Sequence, residues 1–279
     1  MSDKETKYYK LVEKRKKYKF KELKNPSDIL DGIYDNEISI NPWSLWQNNL
    51  DAKLMVIGQD WGDENYYIKN KGRDSDDNPT NLNLIELFKV LKIDIGTPNN
   101  PCKSYPLFFT NAIQGIKENG MSSNVKDSWL KESGEEFLKP LIEIIKPEVI
   151  VTLGAKTLKA INYIYPINSN KTLSSIQKIN PIRVNEMNLF AFYHCGGLGL
   201  ANRPLSEQKK DWTKIKEYIY KETIMEKDNK KWYTENELDF GRFLDEIREK
   251  HKEKNSETKK PDVDKPLKNQ HTEEKNKNI

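Results

Sequence analysis

The chain has 279 residues, 35% apolar and 32% charged, with a mean hydropathy of −0.87. Six Trp, 13 Tyr and nine Phe can build a core, which excludes wholesale disorder, and no apolar run approaches the roughly 20 residues that span a bilayer. Two cysteines, Cys102 and Cys195, exclude a disulfide framework, a four-thiolate zinc site and an iron–sulfur cluster; with no apolar leader at the start, a soluble cytoplasmic protein is expected.

The formal charge of +4 is unevenly spread. Residues 1–25 hold ten Lys/Arg against four acids, and residues 249–279 hold nine Lys against seven, which leaves a body, 26–248, at −4. The N-terminal arm, 1–25, carries Lys14-Arg15-Lys16-Lys17. This run suits either phosphate contacts or a solvated helix face. Four short apolar runs then predict strands at 53–57, 107–110, 149–153 and 189–193. Three of them show no polar alternation, as expected of strands covered on both faces. Helical patterns fall between and after them, at 82–91, 129–145, 155–163, 206–225 and 235–248; the second stops before Pro147. The tail from Glu249 is rich in Lys, Glu and Asn, lacks aromatics, and is expected to be disordered.

Strands alternating with helices predict an α/β fold: a three-layer α/β/α arrangement around a four-stranded, mainly parallel sheet. The main domain is expected over 26–226, followed by a helical extension over 227–248 and the tail over 249–279. Ligands of such sheets bind outside the carboxyl ends of the strands. Those ends read Gly58-Gln59-Asp60-Trp61-Gly62, Thr110-Asn111-Ala112, Gly154-Ala155-Lys156-Thr157 and His194-Cys195-Gly196-Gly197-Leu198-Gly199. A carboxylate, an amide and an imidazole thus converge on one rim, and His194 is the only His outside the tail and its margin. Each residue has a plainer role open to it: helix capping for Asp60, turn closure for Asn111, packing for His194. Gly154-Ala155-Lys156-Thr157 lacks the glycine spacing of a phosphate loop. No residue spacing points to a metal. Cys195 is a weak nucleophile candidate, because neighbours on a strand point to opposite faces and His194 cannot easily activate it.

Taken together, these segments resemble the uracil-DNA glycosylase superfamily over roughly residues 50–220. Val56-Ile57-Gly58-Gln59-Asp60 is similar to its water-activating loop. Leu107-Phe108-Phe109-Thr110-Asn111-Ala112 resembles the strand that carries the base-reading Asn, and Pro147–Gly154 resembles a signature strand of prokaryotic branches. His194, opening a glycine-rich loop, resembles the last motif. The chain departs from the best-known branch at two places. Trp61-Gly62 stands where that branch has Pro-Tyr, whose Tyr crowds out a thymine methyl, and His194-Cys195-Gly196-Gly197 replaces His-Pro-Ser-Pro.

The resemblance implies hydrolysis of an N-glycosidic bond in DNA, leaving a free base and an abasic site, with no cofactor and no metal. Asp60 would stabilise the sugar cation and orient water, and His194 would hydrogen-bond the departing base. Gln59, Asn111 and Gly62 would surround the base, and Asn111 offers the donor and acceptor that read a pyrimidine edge. The stacking aromatic would come from Tyr66, Tyr67 or Phe88, with Tyr67 placed at the base. Base extrusion needs a wedge. Leu198 and Leu200 suit that role, or ordinary packing. Gly196, Gly197, Arg203 and Lys156 would contact DNA phosphates.

DNA is therefore the expected partner of a monomeric enzyme acting on uracil or another modified pyrimidine. Gly62 removes one barrier to bulkier 5-substituents, which opens a reading as a defence enzyme against modified phage DNA. A DNA-binding module without activity and a cysteine hydrolase are the remaining alternatives. Asp60, on a rim loop, is expected to be replaceable with little loss of stability.

Overall fold

A computed structural model of the chain describes residues 1–118, 120, 124–167 and 172–220. Its framework is a sheet of five strands, ordered β2-β1-β3-β5-β4. Strands β1 (Leu54–Gly58), β2 (Leu107–Asn111), β3 (Val149–Leu153) and β5 (Met187–Phe192) run parallel. The fifth, β4 (Ile182–Val184), is an antiparallel edge strand paired with β5. It corrects the expected four strands. Ile182-Arg183-Val184 alternates like a strand but is too short to be recognised on its own, and cross-strand pairing with β5 holds it in place.

Every residue of β1, β2 and β3 is buried, because successive side chains enter opposite layers. Met55, Ile57, Phe108 and Ile150 join the core of one layer, with Leu141 and Ile161 from α5 (Lys139–Ile145) and α6 (Ala155–Ile164). Leu54, Val56, Phe109 and Val151 join the other, with Phe88 of α3 (Pro79–Val90) and Trp212 of α9 (Leu205–Trp212). The result is the expected three-layer α/β/α arrangement.

The helix expected at 129–145 is continuous but not regular. It runs as α4 (Asp127–Ser133), a π-turn (Gly134–Leu138) and α5, with Lys139 N–H bonded to Gly134 O. Pro140 is the physical cause: it has no N–H for the carbonyl of Glu136. Lys14 Nζ donates to that carbonyl instead, at 3.2 Å. The helix expected at 206–225 comprises α9, a 3₁₀ turn (Thr213–Ile215) and α10 (Lys216–Ile219) within the described residues. The helix at 235–248 and the tail from Glu249 lie outside them.

The largest departure is at the N-terminus. Residues 3–17 form α1 (Asp3–Lys17), capped reciprocally by Ser2 and Glu5, and it buries Tyr8, Leu11, Val12 and Arg15. This segment belongs to the same compact unit as the sheet. Its basic run lies on this packed helix, beside acidic neighbours. Arg15 pairs inside the protein with Asp35, Lys14 lies 2.7 Å from Glu136, and Lys16 and Lys17 lie 3.8 and 3.6 Å from Glu13. Among the described residues, no helix is long and apolar enough to cross a membrane.

Candidate active site

Parallel pairing sets Gly58 of β1 directly opposite Asn111 of β2, so the first two strand ends meet at one edge of a cavity of about 200 Å³. Asn111 is 97% buried, and a Cβ on residue 58 would lie 2.5 Å from its Oδ1 and 3.0 Å from the Trp43 ring. Glycine at 58 is therefore the condition for Asn111 and Trp43 to share the cavity wall. Below them, Asn41 Nδ2 donates to Thr110 Oγ1 (2.7 Å) and Gln114 Oε1 (2.9 Å), and Gln114 Nε2 donates to Asn111 O (2.6 Å). This buried amide network fixes the end of β2.

Asp60 follows β1 and is held at both oxygens. Its Oδ1 accepts the Gly62 N–H at 3.0 Å and lies 3.0 Å from Lys117 Nζ; its Oδ2 accepts from Gln59 Nε2 at 2.8 Å. The Asp60 and Lys117 side chains are only 8% and 2% exposed. The sequence gives no hint of this buried ion pair. It also corrects the expectation for Asp60, since removing one partner of a buried pair costs about 3–5 kcal/mol. Gly62 lines the cavity with φ of 121°, a conformation that disfavours any side chain.

His194 follows β5 and lines the same cavity. The Gly196 N–H donates to its Nδ1 at 2.9 Å. A nitrogen that accepts from an amide carries no proton, so the neutral ring is protonated at Nε2. Burial lowers the pKa of His194 from its usual 6.5, while the Asp60 carboxylate pulls it up. Geometry and desolvation together favour a neutral imidazole with Nε2–H as donor.

A second carboxylate reaches the cavity from the loop before α3. Asp74 Oδ1 accepts from Tyr66 OH (2.7 Å) and the Ser75 N–H (2.9 Å), and burial raises its pKa. Trp61 also lines the cavity, and its buried indole N–H has no hydrogen-bond partner among the described residues. Asp74 and Trp43 belong with Lys117 among the residues that motif reading overlooks.

Several expected contacts lie elsewhere. Tyr67 of α2 (Glu64–Lys69) is fully buried in the core, with burial raising its hydroxyl, and it does not line the cavity. Phe88 is equally buried, edge-on against Trp212. Tyr66 turns its hydroxyl to Asp74, so Trp43 and Trp61 are the aromatics on the wall. Gly196 is buried and spends its N–H on His194. Arg203 is clamped by Asp211, with Nη2 to Oδ1 at 2.7 Å and Nε on Oδ2. Lys156 donates to Val125 O at 2.9 Å and lies 3.7 Å from Asp127. All three thus have partners within the protein. Gly197 and Leu198 are exposed at the start of α8 (Gly197–Asn202), Leu198 by 82%, while Leu200 is half-buried. Cys195 is fully buried and its thiol is pushed up to about 12. A thiol that resists ionisation does not serve as a nucleophile at neutral pH.

Among the described residues, no group of three or more His, Cys, Asp or Glu could hold a metal ion. The chain matches no family model and no curated protein.

Proposed function

We propose that the chain is a DNA glycosylase that hydrolyses the N-glycosidic bond of uracil or another modified pyrimidine. The observation that carries this reading is the His194 tautomer, a neutral imidazole whose Nε2–H is its donor, on the cavity that Asp60 also lines. Cleaving the bond places positive charge on the deoxyribose and negative charge on the departing base. A neutral Nε2–H can donate to the base oxygen where charge grows, without first protonating the base. Asp60 faces the opposite charge. Gly62, Lys117 and Gln59 take three of its roughly four acceptor positions, which leaves about one for a water. Asn111, fixed from below by Gln114, supplies the amide that reads the base edge. Trp43 supplies a flat wall for it.

A base with a larger 5-substituent is a second reading within the same chemistry. It is favoured by Gly62, which adds no side chain to the cavity, and by the unpartnered indole N–H of Trp61. The test is incubation of the pure chain with oligonucleotides carrying uracil, 5-substituted uracils and 5-substituted cytosines, in single and double strands. Alkali cleavage then reports abasic sites. Binding without base release from any of them would instead identify a DNA-binding module.

Exposure gives Leu198 the wedge role over half-buried Leu200. Leu198→Ala is expected to slow release from a duplex about tenfold, equivalent to about 1.4 kcal/mol of lost extrusion energy. Release from a single strand, where there is little stack to open, should change less than twofold. Equal losses on both substrates would remove Leu198 from that role.

A further inference from the structure

We propose that Lys117 is a positioning residue for Asp60, holding its carboxylate in one orientation. This inference rests on the glycosylase reading above. The evidence begins with the backbone. The segment after β2 runs beside the loop after β1, with Ala112 N–H bonded to Gly58 O (2.8 Å), Ile113 N–H to Gln59 O (3.1 Å) and Glu64 N–H to Lys117 O (2.9 Å). On its other side, Ile116 exchanges both backbone bonds with Lys24, at 2.8 and 2.9 Å. Lys117 is thus fixed between two extended segments, and its side chain reaches Asp60 while the cavity wall excludes it.

A buried ammonium is costly to keep, and a position needed only for packing is better served by an apolar side chain. What Lys117 adds is charge at a chosen atom. The groups facing Asp60 are its own loop's Gly62 N–H and Gln59 amide, Lys117 from the segment after β2, and His194 from the loop after β5; Asp74 lines the same cavity. Among these, His194 is favoured in its neutral form, so the positive charge that faces the carboxylate comes from Lys117. Tying Oδ1 to Lys117 and Oδ2 to Gln59 also fixes the plane of the carboxylate, which sets where a water can sit.

The experiment is single-turnover base release from pH 5 to 9, using the full chain and whichever panel oligonucleotide the wild type cleaves fastest. Lys117→Met is expected to slow release at least tenfold, with DNA affinity retained. Lys117→Arg should recover most of the rate. In an Asp60→Asn background, Lys117→Met should add no further loss, because its effect runs through Asp60. Circular dichroism controls for folding. If Lys117→Met unfolds, Lys117→Gln, which keeps a donor but no charge, carries the same expectation. A wild-type rate in the uncharged variant overturns the inference, as does an additional loss in the Asp60→Asn background. Capture of Lys117 by abasic DNA under borohydride overturns it as well, because that would make Lys117 a nucleophile. If the wild type releases no base from any oligonucleotide, the glycosylase reading itself fails and Lys117 loses its reaction. If the wild type is active and Lys117→Met is indistinguishable from it, only the Lys117 inference fails.

Discussion

His194→Ala is expected to slow base release by on the order of 10²- to 10³-fold, the usual loss when a single donor to a developing anion is removed. The fold should survive. Among the described residues the ring makes one hydrogen bond, from the Gly196 N–H, and leaving that amide unpaired costs about 1–3 kcal/mol. DNA affinity should hold, since the Nε2–H acts where charge develops as the bond breaks. His194→Ala is therefore a cleaner probe than Asp60→Asn, which also breaks the buried Asp60–Lys117 ion pair. The pH dependence has a definite sign. Burial lowers the His194 pKa, so the neutral donor persists below the ordinary histidine value of 6.5. The wild-type rate should stay level through pH 6.5 and fall only further down. The unfolded chain binds the His194 proton more readily in that window, so this residue's contribution to stability also declines as pH falls. Rates must accordingly be read where circular dichroism shows the chain folded. A His194→Ala rate within threefold of the wild type would remove His194 from the chemistry.

The sheet was legible because its parallel strands are covered on both faces, which makes each a predominantly apolar run without polar alternation. The strand β4 was not, because its place comes from pairing with β5 and not from its own three residues. The same division governs the site. Asp60, Asn111 and His194 lie at strand ends, and a parallel register brings strand ends together without further information. Lys117, Trp43 and Asp74 come from loops that long-range contacts place, such as the Lys24–Ile116 and Asp63–Lys117 bridges. No local pattern encodes those contacts. Tyr67 shows the limit of nearness in sequence. Consecutive residues on a helix point about 100° apart, so α2 sends Tyr66 to Asp74 and Tyr67 into the core. In α1, Tyr8, Leu11, Val12 and Arg15 follow the spacing of a buried helix face, but the surrounding lysines hide it.

The second large effect is expected at that face. Arg15 is 1% exposed and forms a bidentate pair with Asp35, at 2.7 and 2.8 Å, and its guanidinium also donates to Asn25 Oδ1 and Ser39 O, both at 3.2 Å. Asn25 returns a bond from its amide to the Arg15 carbonyl at 2.6 Å, locking the end of α1 to the following turn. Arg15→Met leaves the Asp35 carboxylate, 7% exposed, without its counter-charge. Breaking such a pair costs about 3–5 kcal/mol, a large share of the roughly 5–15 kcal/mol that stabilises a domain. For a chain of this size the Tm should fall by roughly 6–20 °C. Arg15→Lys should not rescue it, because one ammonium cannot reproduce the planar, bidentate contact. Arg15→Met combined with Asp35→Leu should recover most of the loss, since removing both charges leaves nothing buried and unpaired. Lys16→Ala and Lys17→Ala, whose partners lie beyond 3.5 Å on the surface, should leave the Tm almost unchanged. A phosphate-binding arm predicts the reverse ranking: little change in Tm for any of these variants, and a flatter salt dependence of DNA binding for each lysine lost. Thermal unfolding at neutral pH, paired with DNA binding at two salt concentrations, separates the two. An Arg15→Met variant melting within 2 °C of the wild type would show that this pair does not anchor α1.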